Sequence, residues 1–231
     1  MSKSKDRRLR DEGFEFWGAI TASLSHDINN VFAIINELSG LLDDFFHAAD
    51  QGDVMDIEKL KSATRRISEQ VSRGQTHVRQ LNRFAHTVDY RHATIDLNDA
   101  VDAVATLCGR MATLRRITVA TRLADVSPKL EGSAFDVQHV IFRCIDMALD
   151  AGEQGDVVEI AVEPHDDGAR LIVANRSAVA SVHDLETKRD SLDTLVAEIH
   201  GTVESVISAG QPLRLTVSLP RSLNSTGNDH D

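Results

Sequence analysis

The 231-residue sequence is poor in the residues that define several classes of protein. It contains two cysteines, four prolines and few aromatic residues. Cys108 and Cys144 are far apart in apolar, helical contexts, which argues against a disulfide framework and predicts a cytoplasmic location. No run of about 18 apolar residues occurs, so we expect no membrane-spanning helix. The charged N-terminus, MSKSKDRRLRDEG, is not followed by an apolar stretch, so we expect no signal peptide.

Positive charge is also scarce. The chain has 25 Lys and Arg residues against 36 Asp and Glu residues, which gives a formal net charge of -11 at pH 7. Because a nucleic acid backbone attracts basic surfaces, we expect no nucleic-acid partner. An acidic balance suits solubility and a protein partner with a basic rim. The length is sufficient for one large domain or two small ones, each with an apolar core.

The first 88 residues carry apolar side chains at helical spacing. Between Phe14 and about Ala49 the steps alternate between three and four residues, at Trp17, Ile20, Leu24, Ile28, Val31, Ile35, Leu38, Leu42 and Phe45. This spacing is typical of the seam of a helical bundle or coiled coil. The segment DQGDVMD (50–56) predicts a turn. A second stripe follows it, at Ile57, Leu60, Ile67, Val71, Val78, Leu81 and Phe84. The pattern predicts an antiparallel helical hairpin.

A single hairpin cannot cover its own apolar stripe. Association of two copies into a four-helix bundle would cover it, so a homodimer is expected. The alternative is packing of the hairpin against the second half of the same chain. The predicted division of the sequence is a charged N-terminal segment (1–13), the hairpin (14–88), a second domain (89–221) and a polar tail (222–231).

The second half interleaves helices and strands. The segment ATIDLNDAVDAVATLCGRMATLRRITVATRL (93–123) predicts a strand, a helix with Asp96 or Asn98 as its N-cap, and another strand. A helix is expected from about Ala134 to Ala151. Hairpins are predicted for VVEIAVEPHDDGARLIVAN (157–175) and TVESVISAGQPLRLTVSLP (202–220), with the helical segment LDTLVAEIHG (192–201) between them. This order of elements predicts a two-layer α/β sandwich for the second half. Together with the helical hairpin, it predicts an α+β fold for the whole chain.

The segment SHDINNVFAIINELSGLL (25–42) places polar residues inside the first apolar stripe. His26 is followed by Asp27, and Asn30 lies one helical turn further along the same face. A neutral imidazole can attack phosphorus, and a carboxylate bonded to the other ring nitrogen fixes the tautomer and stabilises the cation that forms. The alternative is an ordinary solvated histidine on a helix surface. The other histidines lack such neighbours and are predicted to be structural or solvated, among them His47, His77, His86 and His200.

This segment resembles the H-box of two-component sensor histidine kinases, in particular the subgroup whose box reads H-D-x-N-N. The resemblance implies a dimeric hairpin in which His26 is the phosphoacceptor and Asp27 orients its imidazole. It also implies that Asn30 occupies the place of the polar residue that positions water in the phosphatase reaction of that family. The similarity extends from about Trp17 to Pro220, and it implies that the sandwich corresponds to the ATP-binding domain of these kinases.

The nucleotide-binding residues of that family are not retained. The segment FDVQHVIFRCIDMALDAGEQGDVVEIAV (135–162) follows the N-box helix and the next strand, but its two asparagines fall on Arg143 and Met147. The second of them is the magnesium ligand in the family, and a thioether does not suit magnesium. The Asp of the D-x-G-x-G motif falls on Ala174, and its first glycine on Arg176. No glycine lies between Asn175 and Leu192, where the family has its glycine-rich lid.

The retained H-box and the altered nucleotide motifs together predict a histidine phosphotransferase. Such a protein relays a phosphoryl group between receiver-domain aspartates of response regulators through His26, without using ATP. This chain would bind no cofactor or metal, and the receiver would supply the magnesium. The alternatives are a phosphatase that acts through Asn30, a non-catalytic adaptor that binds response regulators, and an ATP-dependent sensor histidine kinase.

Overall fold

The computed structural model describes residues 2–89, 92–179 and 182–223 of the chain. Its internal contacts form two compact units, of which unit 2 is Thr21–Ala85 and unit 1 combines Met1–Ile20 with His86–Asp231. The division predicted from the sequence assigns residues 14–20 to the hairpin, whereas this grouping places them in unit 1. The predicted division remains a prediction. Among the described residues, no helix is both long and apolar enough to cross a membrane.

Two long helices account for the first 85 residues. Helix α1 (Ser2–Asp50) runs through residues of both units, and α2 (Ile57–Ala85) lies wholly in unit 2. The charged residues at the N-terminus are therefore helical from Ser2 onward. The chain leaves α1 through Gly52, whose φ of 99° suits a residue without Cβ. Asp56 then caps α2, because its Oδ1 accepts hydrogen bonds from the backbone amides of Glu58 and Lys59 at 3.1 and 3.2 Å.

In unit 2 the two helices pack along a heptad seam. Leu24, Val31 and Leu38 of α1 are buried at seven-residue intervals. A Cβ placed on Gly74 of α2 would lie 3.2 Å from Val31 Cγ1, so the helices approach closely at this point. Val31 lies 19 residues before the end of α1 at Asp50, and Gly74 lies 17 residues after the start of α2 at Ile57. This matching separation makes the hairpin antiparallel, as predicted.

Three positions of the predicted α2 stripe are exposed. Ile57, Val71 and Val78 are 60%, 44% and 45% exposed, whereas Phe84 of the same stripe is buried. In the middle of α2, the side that faces α1 carries Gly74, with Gln70 and His77 each about one turn from it. Gly and polar residues were not expected at seam positions, so the prediction was wrong for this part of α2.

Unit 1 contains a short 3₁₀ turn (His86–Val88), four further helices and seven strands. The helices are α3 (Leu97–Leu107), α4 (Gly109–Arg115), α5 (Ala134–Ala151) and α6 (His183–Glu198). The strands are β1 (Ala93–Asp96), β2 (Thr118–Arg122), β3 (Lys129–Gly132), β4 (Val157–His165), β5 (Gly168–Ala178), β6 (Thr202–Val206) and β7 (Pro212–Pro220). All the elements predicted for this half are present.

The strands form two sheets. β1 and β3 make an antiparallel pair, and the larger sheet has the order β2-β4-β5-β7-β6. Within it β2 and β4 are parallel and the other neighbours are antiparallel. Along β7 the alternate residues Leu213, Leu215, Val217 and Leu219 are buried, which is the period-two pattern of a sheet with one face in the core. The helices cover that face, so the fold is α+β with a two-layer sandwich, as predicted.

The core of unit 1 forms around α5, in which twelve of 18 residues are buried. Both cysteines belong to this core and are free thiols, as the sequence predicted. Burial raises the pKa of the Cys144 thiol to about 12, so the group is neutral. Of the predicted polar tail, the described part is Ser222 and Leu223, and Leu223 is buried with its amide bonded to Glu131 O at 2.7 Å. The rest of the tail lies outside the described residues.

Asp96 is the N-cap of α3 and fixes the start of the sandwich. Its Oδ1 accepts a hydrogen bond from Asp99 N at 2.9 Å, and its carboxylate also bonds Ser127 Oγ and Lys129 Nζ. The hydrogen bond from Lys129, followed by those from Ser127 and the Asp99 amide, lowers the pKa of Asp96 from 3.8 to about 2. A depressed native pKa means that ionised Asp96 stabilises the fold above pH 3.8 and that this contribution is lost as the pH falls through about 2.

We predict that Asp96→Asn, which keeps a capping side chain but not the charge, destabilises unit 1 by about 1 kcal/mol or less at neutral pH. The difference in unfolding free energy between the two proteins should shrink between pH 4 and pH 2. Urea denaturation at a series of pH values measures it. A difference that stays constant over this range would show that the charge of Asp96 makes no contribution.

Candidate functional site

The predicted phosphoacceptor residues lie together on the exposed side of α1 in unit 2. The Asn30 amide lies 3.0 Å from His26 Nδ1, and Asp27 Oδ1 lies 3.7 Å from the same nitrogen. The first distance is a hydrogen bond, whereas the second is an ionic contact beyond hydrogen-bond length. The His26 side chain is 45% exposed and that of Asp27 27%. We call the side of the hairpin that carries His26, Asp27 and Asn30 the acceptor face.

Helix geometry brings the three residues together. Positions four apart lie on one face, which allows Asn30 to reach back to His26, and Asp27 follows the histidine directly. Both polar neighbours approach Nδ1. Within the part of the chain that the structure describes, Nε2 has no hydrogen-bond partner. The arrangement therefore leaves one ring nitrogen on an exposed surface while the other is held by neighbouring side chains.

A second histidine of α1 has a similar local geometry. The His47 Nε2 atom lies 2.9 Å from the side-chain amide of Gln51, again four residues on. His47 is not followed by a carboxylate, because its next residue is Ala48. His86 bonds Asp89 at 2.6 Å, but it belongs to the 3₁₀ turn of unit 1. His26 differs from both in having an amide and a carboxylate directed at one ring nitrogen.

The positions that carry nucleotide-binding asparagines in the kinase family lie on α5 in unit 1. Met147 has no exposed surface, so its side chain is part of the core rather than of a pocket. Arg143 donates a hydrogen bond from Nη2 to Ser191 Oγ of α6 at 3.3 Å. Ser191 in turn donates to Glu12 Oε2 of α1. A polar chain from α1 through α6 to α5 therefore covers this sector of α5.

The first turns of α1 complete this cover. Phe16 has no exposed surface, and its ring stacks on His139 of α5 with centroids 5.1 Å apart and planes 3° apart. It also contacts Phe135 and Phe142, at centroid distances of 5.5 and 4.8 Å. Burial lowers the pKa of His139 to about 4 and nearby Arg143 acts in the same direction, against an opposite effect of Glu12. His139 is therefore a neutral packing partner for Phe16.

The sequence did not reveal this contact. The apolar stripe assigned to α1 included Trp17, whereas the buried aromatic residue is Phe16. The available signal was the spacing of Phe16, Ile20 and Leu24, which are four residues apart and all buried. Glu12 gave no sequence signal, because a single acidic residue near a charged terminus is not distinguishable from a solvated one.

One charged cluster bridges α5 and α6 next to Met147. Lys188 Nζ donates to Asp146 Oδ2 at 2.7 Å and also to Asp150. Arg115 of α4 donates to Asp150 Oδ1 at 2.7 Å. Burial opposes the charge of Lys188, but its hydrogen bonds to the two carboxylates prevail and raise its pKa. The positive charges of Lys188 and Arg115 together offset those of the two carboxylates of α5.

The positions that replace the D-x-G-x-G motif are used for the sheet. Ala174 pairs with Glu159 of β4 and Arg214 of β7. Arg176 Nε donates to Glu159 Oε1 at 2.8 Å, on the exposed surface. Asn175 between them is buried and donates to Ala148 O at 2.8 Å and to Asp156 Oδ2 at 3.0 Å. The contacts of these three residues all lie within unit 1.

ATP and its magnesium ion do not fit these residues. The metal position offers a buried thioether, the adenine position a strand methyl group, and the intervening charges are satisfied by Lys188 and Ser191. A cavity of about 690 Å³ lies elsewhere in unit 1, between the 126–129 segment, the 164–168 turn and residues 220–222. Arg143, Met147, Ala174 and Arg176 do not line it.

Comparison with known proteins gives a structural answer only. No protein-family model matches the chain, and no curated protein matches its sequence. Two nucleotide-free crystal forms of the catalytic domain of histidine kinase ThkA match with TM-scores of 0.50 at 14% identity. They cover 58% of this chain and 97% and 100% of the ThkA chains. Histidine kinase AdeS of Acinetobacter baumannii matches over 80% of this chain and 95% of its own, with a TM-score of 0.48 at 14% identity.

Identities at this level establish the fold and nothing finer. The helices and mixed sheet described above are the architecture of the ThkA catalytic domain, which the H-box and N-box segments had implied. The part of the chain that the ThkA match covers therefore has the fold of a histidine kinase catalytic domain.

Proposed function

We propose that this chain is a dimeric histidine phosphotransferase of a cytoplasmic two-component phosphorelay. His26 accepts a phosphoryl group from the aspartate of one response regulator receiver and passes it to another. The observation that carries the proposal is the geometry at His26, in which Asp27 and Asn30 both approach Nδ1 and Nε2 is left on an exposed surface. The kinase-like fold and the absence of a fitting nucleotide site support it.

The proposed chemistry requires Nε2 as the nucleophile and therefore a proton on Nδ1. The Asn30 amide can present either its NH₂ or its carbonyl oxygen to the ring, since the two orientations differ by a rotation. In the reactive state the Asn30 side-chain oxygen and the Asp27 carboxylate accept hydrogen bonds from the Nδ1–H group of His26. The lone pair of Nε2 attacks phosphorus, an N–P bond forms, the acyl O–P bond breaks, and the receiver aspartate leaves as a carboxylate.

Charge on the hairpin suits a receiver as the partner. Helix α2 carries seven Lys and Arg residues and two Glu residues, although the whole chain has a net charge of -11. The active site of a receiver is an acidic pocket that holds magnesium, and this pocket has to approach His26. A basic helix beside the acceptor face attracts such a pocket and increases the rate of encounter. The magnesium ion belongs to the receiver in this proposal, and the present chain supplies the nucleophile.

The opposite side of the hairpin fits a second copy of the chain. An α-helix turns by ~100° per residue, which places Phe32 on the other side of α1 from Asn30. The same geometry, counted from the contact of Val31 with Gly74, puts Val71 and Val78 of α2 on the side of Phe32. Phe32 is 58% exposed and the two valines are nearly half exposed. We call these three residues the apolar face, and its pairing with a second apolar face completes a four-helix bundle.

A phosphatase is the second candidate, and the position of Asn30 favours it. An amide one turn from the phosphoacceptor can also hold a water molecule for attack on the receiver aspartyl phosphate. Both reactions use the same docking of the receiver. They differ in whether the phosphoryl group is found on His26 or in solution as inorganic phosphate.

The central experiment incubates the full chain with a receiver phosphorylated by radiolabelled acetyl phosphate, in the presence of magnesium. We predict an acid-labile label on the chain that His26→Ala reduces to background. His47→Ala is the matched control, because His47 has the same amide contact, and it should be labelled like the wild type.

The other functions give different results in the same assay. Release of inorganic phosphate without labelled protein would indicate a phosphatase. An unlabelled protein that still binds the receiver would indicate an adaptor. Label that persists in His26→Ala would contradict the assignment of the phosphoacceptor.

We also predict that the wild-type chain shows no binding of ATP in the micromolar range by isothermal titration with magnesium present. Met147→Asn restores one oxygen ligand and should still fail to bind, because Phe16, Arg143 and Lys188 continue to occupy the surrounding positions. Saturable binding by the wild type would contradict the proposal and favour an ATP-dependent kinase.

The apolar face gives a prediction for assembly. Light scattering should show a particle of twice the 25.4-kDa chain mass. The double variant Phe32→Glu and Val71→Glu should shift the particle to the monomer, because two charges would then be buried at the seam. Leu114→Glu is the control, since Leu114 is an exposed leucine of α4 in unit 1 and should leave the mass unchanged. A wild-type protein that is monomeric at micromolar concentration would contradict the dimer.

A further inference from the structure

The inner side of α2 carries a histidine to which phosphotransfer as described above gives no role. His77 lies three residues after Gly74, the residue that contacts Val31 of α1. Because antiparallel helices rise equally per residue, His77 is level with Ile28, the residue that follows Asp27. A separation of three residues along α2 places His77 ~60° around the helix from Gly74, on the side of the acceptor face.

Asp27 of α1 points toward the acceptor face as well. It lies four residues before Val31, which places it ~40° from the inward direction of α1. Viewed from one end, the two rotations have opposite senses, and opposite rotations on two helices that face each other point to the same side of the hairpin. Asp27 and His77 therefore face each other across the edge of the seam on the acceptor face, at the level of His26.

His77 has unmet hydrogen-bonding capacity. Neither of its ring nitrogens is accessible to solvent, and neither has a hydrogen-bond partner in the described part of the chain. A buried polar group without a partner lowers stability relative to a satisfied one, so packing alone would favour an apolar side chain here. On the other helix, Asp27 is an acceptor whose contact with His26 is 3.7 Å, longer than a hydrogen bond.

We propose that His77 is a positioning residue for the phosphoacceptor, donating a hydrogen bond to the Asp27 carboxylate in the reactive state. The inference rests on the function proposed for His26. The bond fixes one Asp27 oxygen and brings the other toward the Nδ1 proton of His26. The Asp27 carboxylate then lies between two imidazoles, and it holds the tautomer of His26 in which Nε2 carries the lone pair.

The charged groups around His77 are compatible with this role. Asp27 is the anionic group that faces it from α1, and His26 is the other titratable group of that face. On α2 itself Arg73 lies one turn earlier on the same side. A neutral imidazole has one N–H to donate, so His77 can make this bond without carrying a charge.

The test compares His77→Leu with His77→Gln in the full-length chain. Leucine fills the volume but cannot donate, whereas glutamine can still donate to Asp27. We expect the single-turnover rate of transfer from the phosphorylated receiver to fall about tenfold or more in the leucine variant. The glutamine variant should recover most of the rate. The thermal unfolding midpoint of the leucine variant should be equal to or above that of the wild type, because a buried unsatisfied group has been removed.

Gln70→Leu is the matched control. Gln70 lies one heptad before His77 on the same inner side, and its Oε1 is likewise buried without a partner in the described residues. It is two turns of helix further from the level of His26. The Gln70→Leu variant should transfer phosphoryl groups at the wild-type rate, which separates the position of His77 from a general effect of polar residues in the seam.

A second measurement does not depend on phosphotransfer. Long-range ¹H–¹⁵N NMR spectra report which nitrogen of His26 carries the proton. The Nδ1–H tautomer should be less populated in His77→Leu than in the wild type or in Gln70→Leu. A leucine variant with the wild-type transfer rate and an unchanged tautomer population would overturn the role of His77. A chain that is never labelled on His26 would instead overturn the proposed function, and the tautomer measurement would still decide whether His77 acts on Asp27.

Discussion

The packing of α5 is the constraint on which the rest of unit 1 depends. Twelve of its 18 residues are buried, so its polar side chains depend on contacts with other elements. Among the described residues, its titratable side chains make such contacts with α1 and α6. Phe16 covers His139, Ser191 bonds Arg143, and Lys188 joins Asp146 to Asp150. The residues that make these contacts belong to two helices of the chain: Ser191 and Lys188 lie on α6, and Phe16 lies in the N-terminal part of α1.

The hairpin in unit 2 divides its functions by helical phase. Residues at seven-residue intervals, such as Leu24, Val31 and Leu38, form the seam. Rotation of about one third of a turn from the seam leads to the acceptor face in one direction and to the apolar face in the other. In the proposed function, the same two helices bind a second copy on the apolar face and a receiver on the acceptor face, and these two surfaces do not overlap. His77 lies at the boundary between the seam and the acceptor face, where a side chain can be buried and still reach a reactive group.

Much of this could be predicted from the sequence. Hydrophobic periodicity located most elements of the sandwich but missed the short helix α4 and strand β3, and the H-D-I-N-N segment located the three residues that the structure brings together at His26. The errors arose where packing overrode pattern. Val71 and Val78 were assigned to the seam because they are apolar, but close approach at Gly74 rotates α2 and exposes them. The cover of α5 by Glu12 and Phe16 joins residues more than 100 positions apart, which local periodicity cannot detect.

A phosphorelay protein can lose a nucleotide site and remain functional because of where the chemical energy lies. An aspartyl phosphate is already activated, so transfer to histidine needs a positioned nucleophile and compensation of charge rather than a bound nucleotide. In the proposed function, the hairpin supplies both through His26 and the basic helix α2. The sandwich then has no need to open and close around a ligand. Residues such as Met147 and Lys188 can instead make packing and ionic contacts within unit 1.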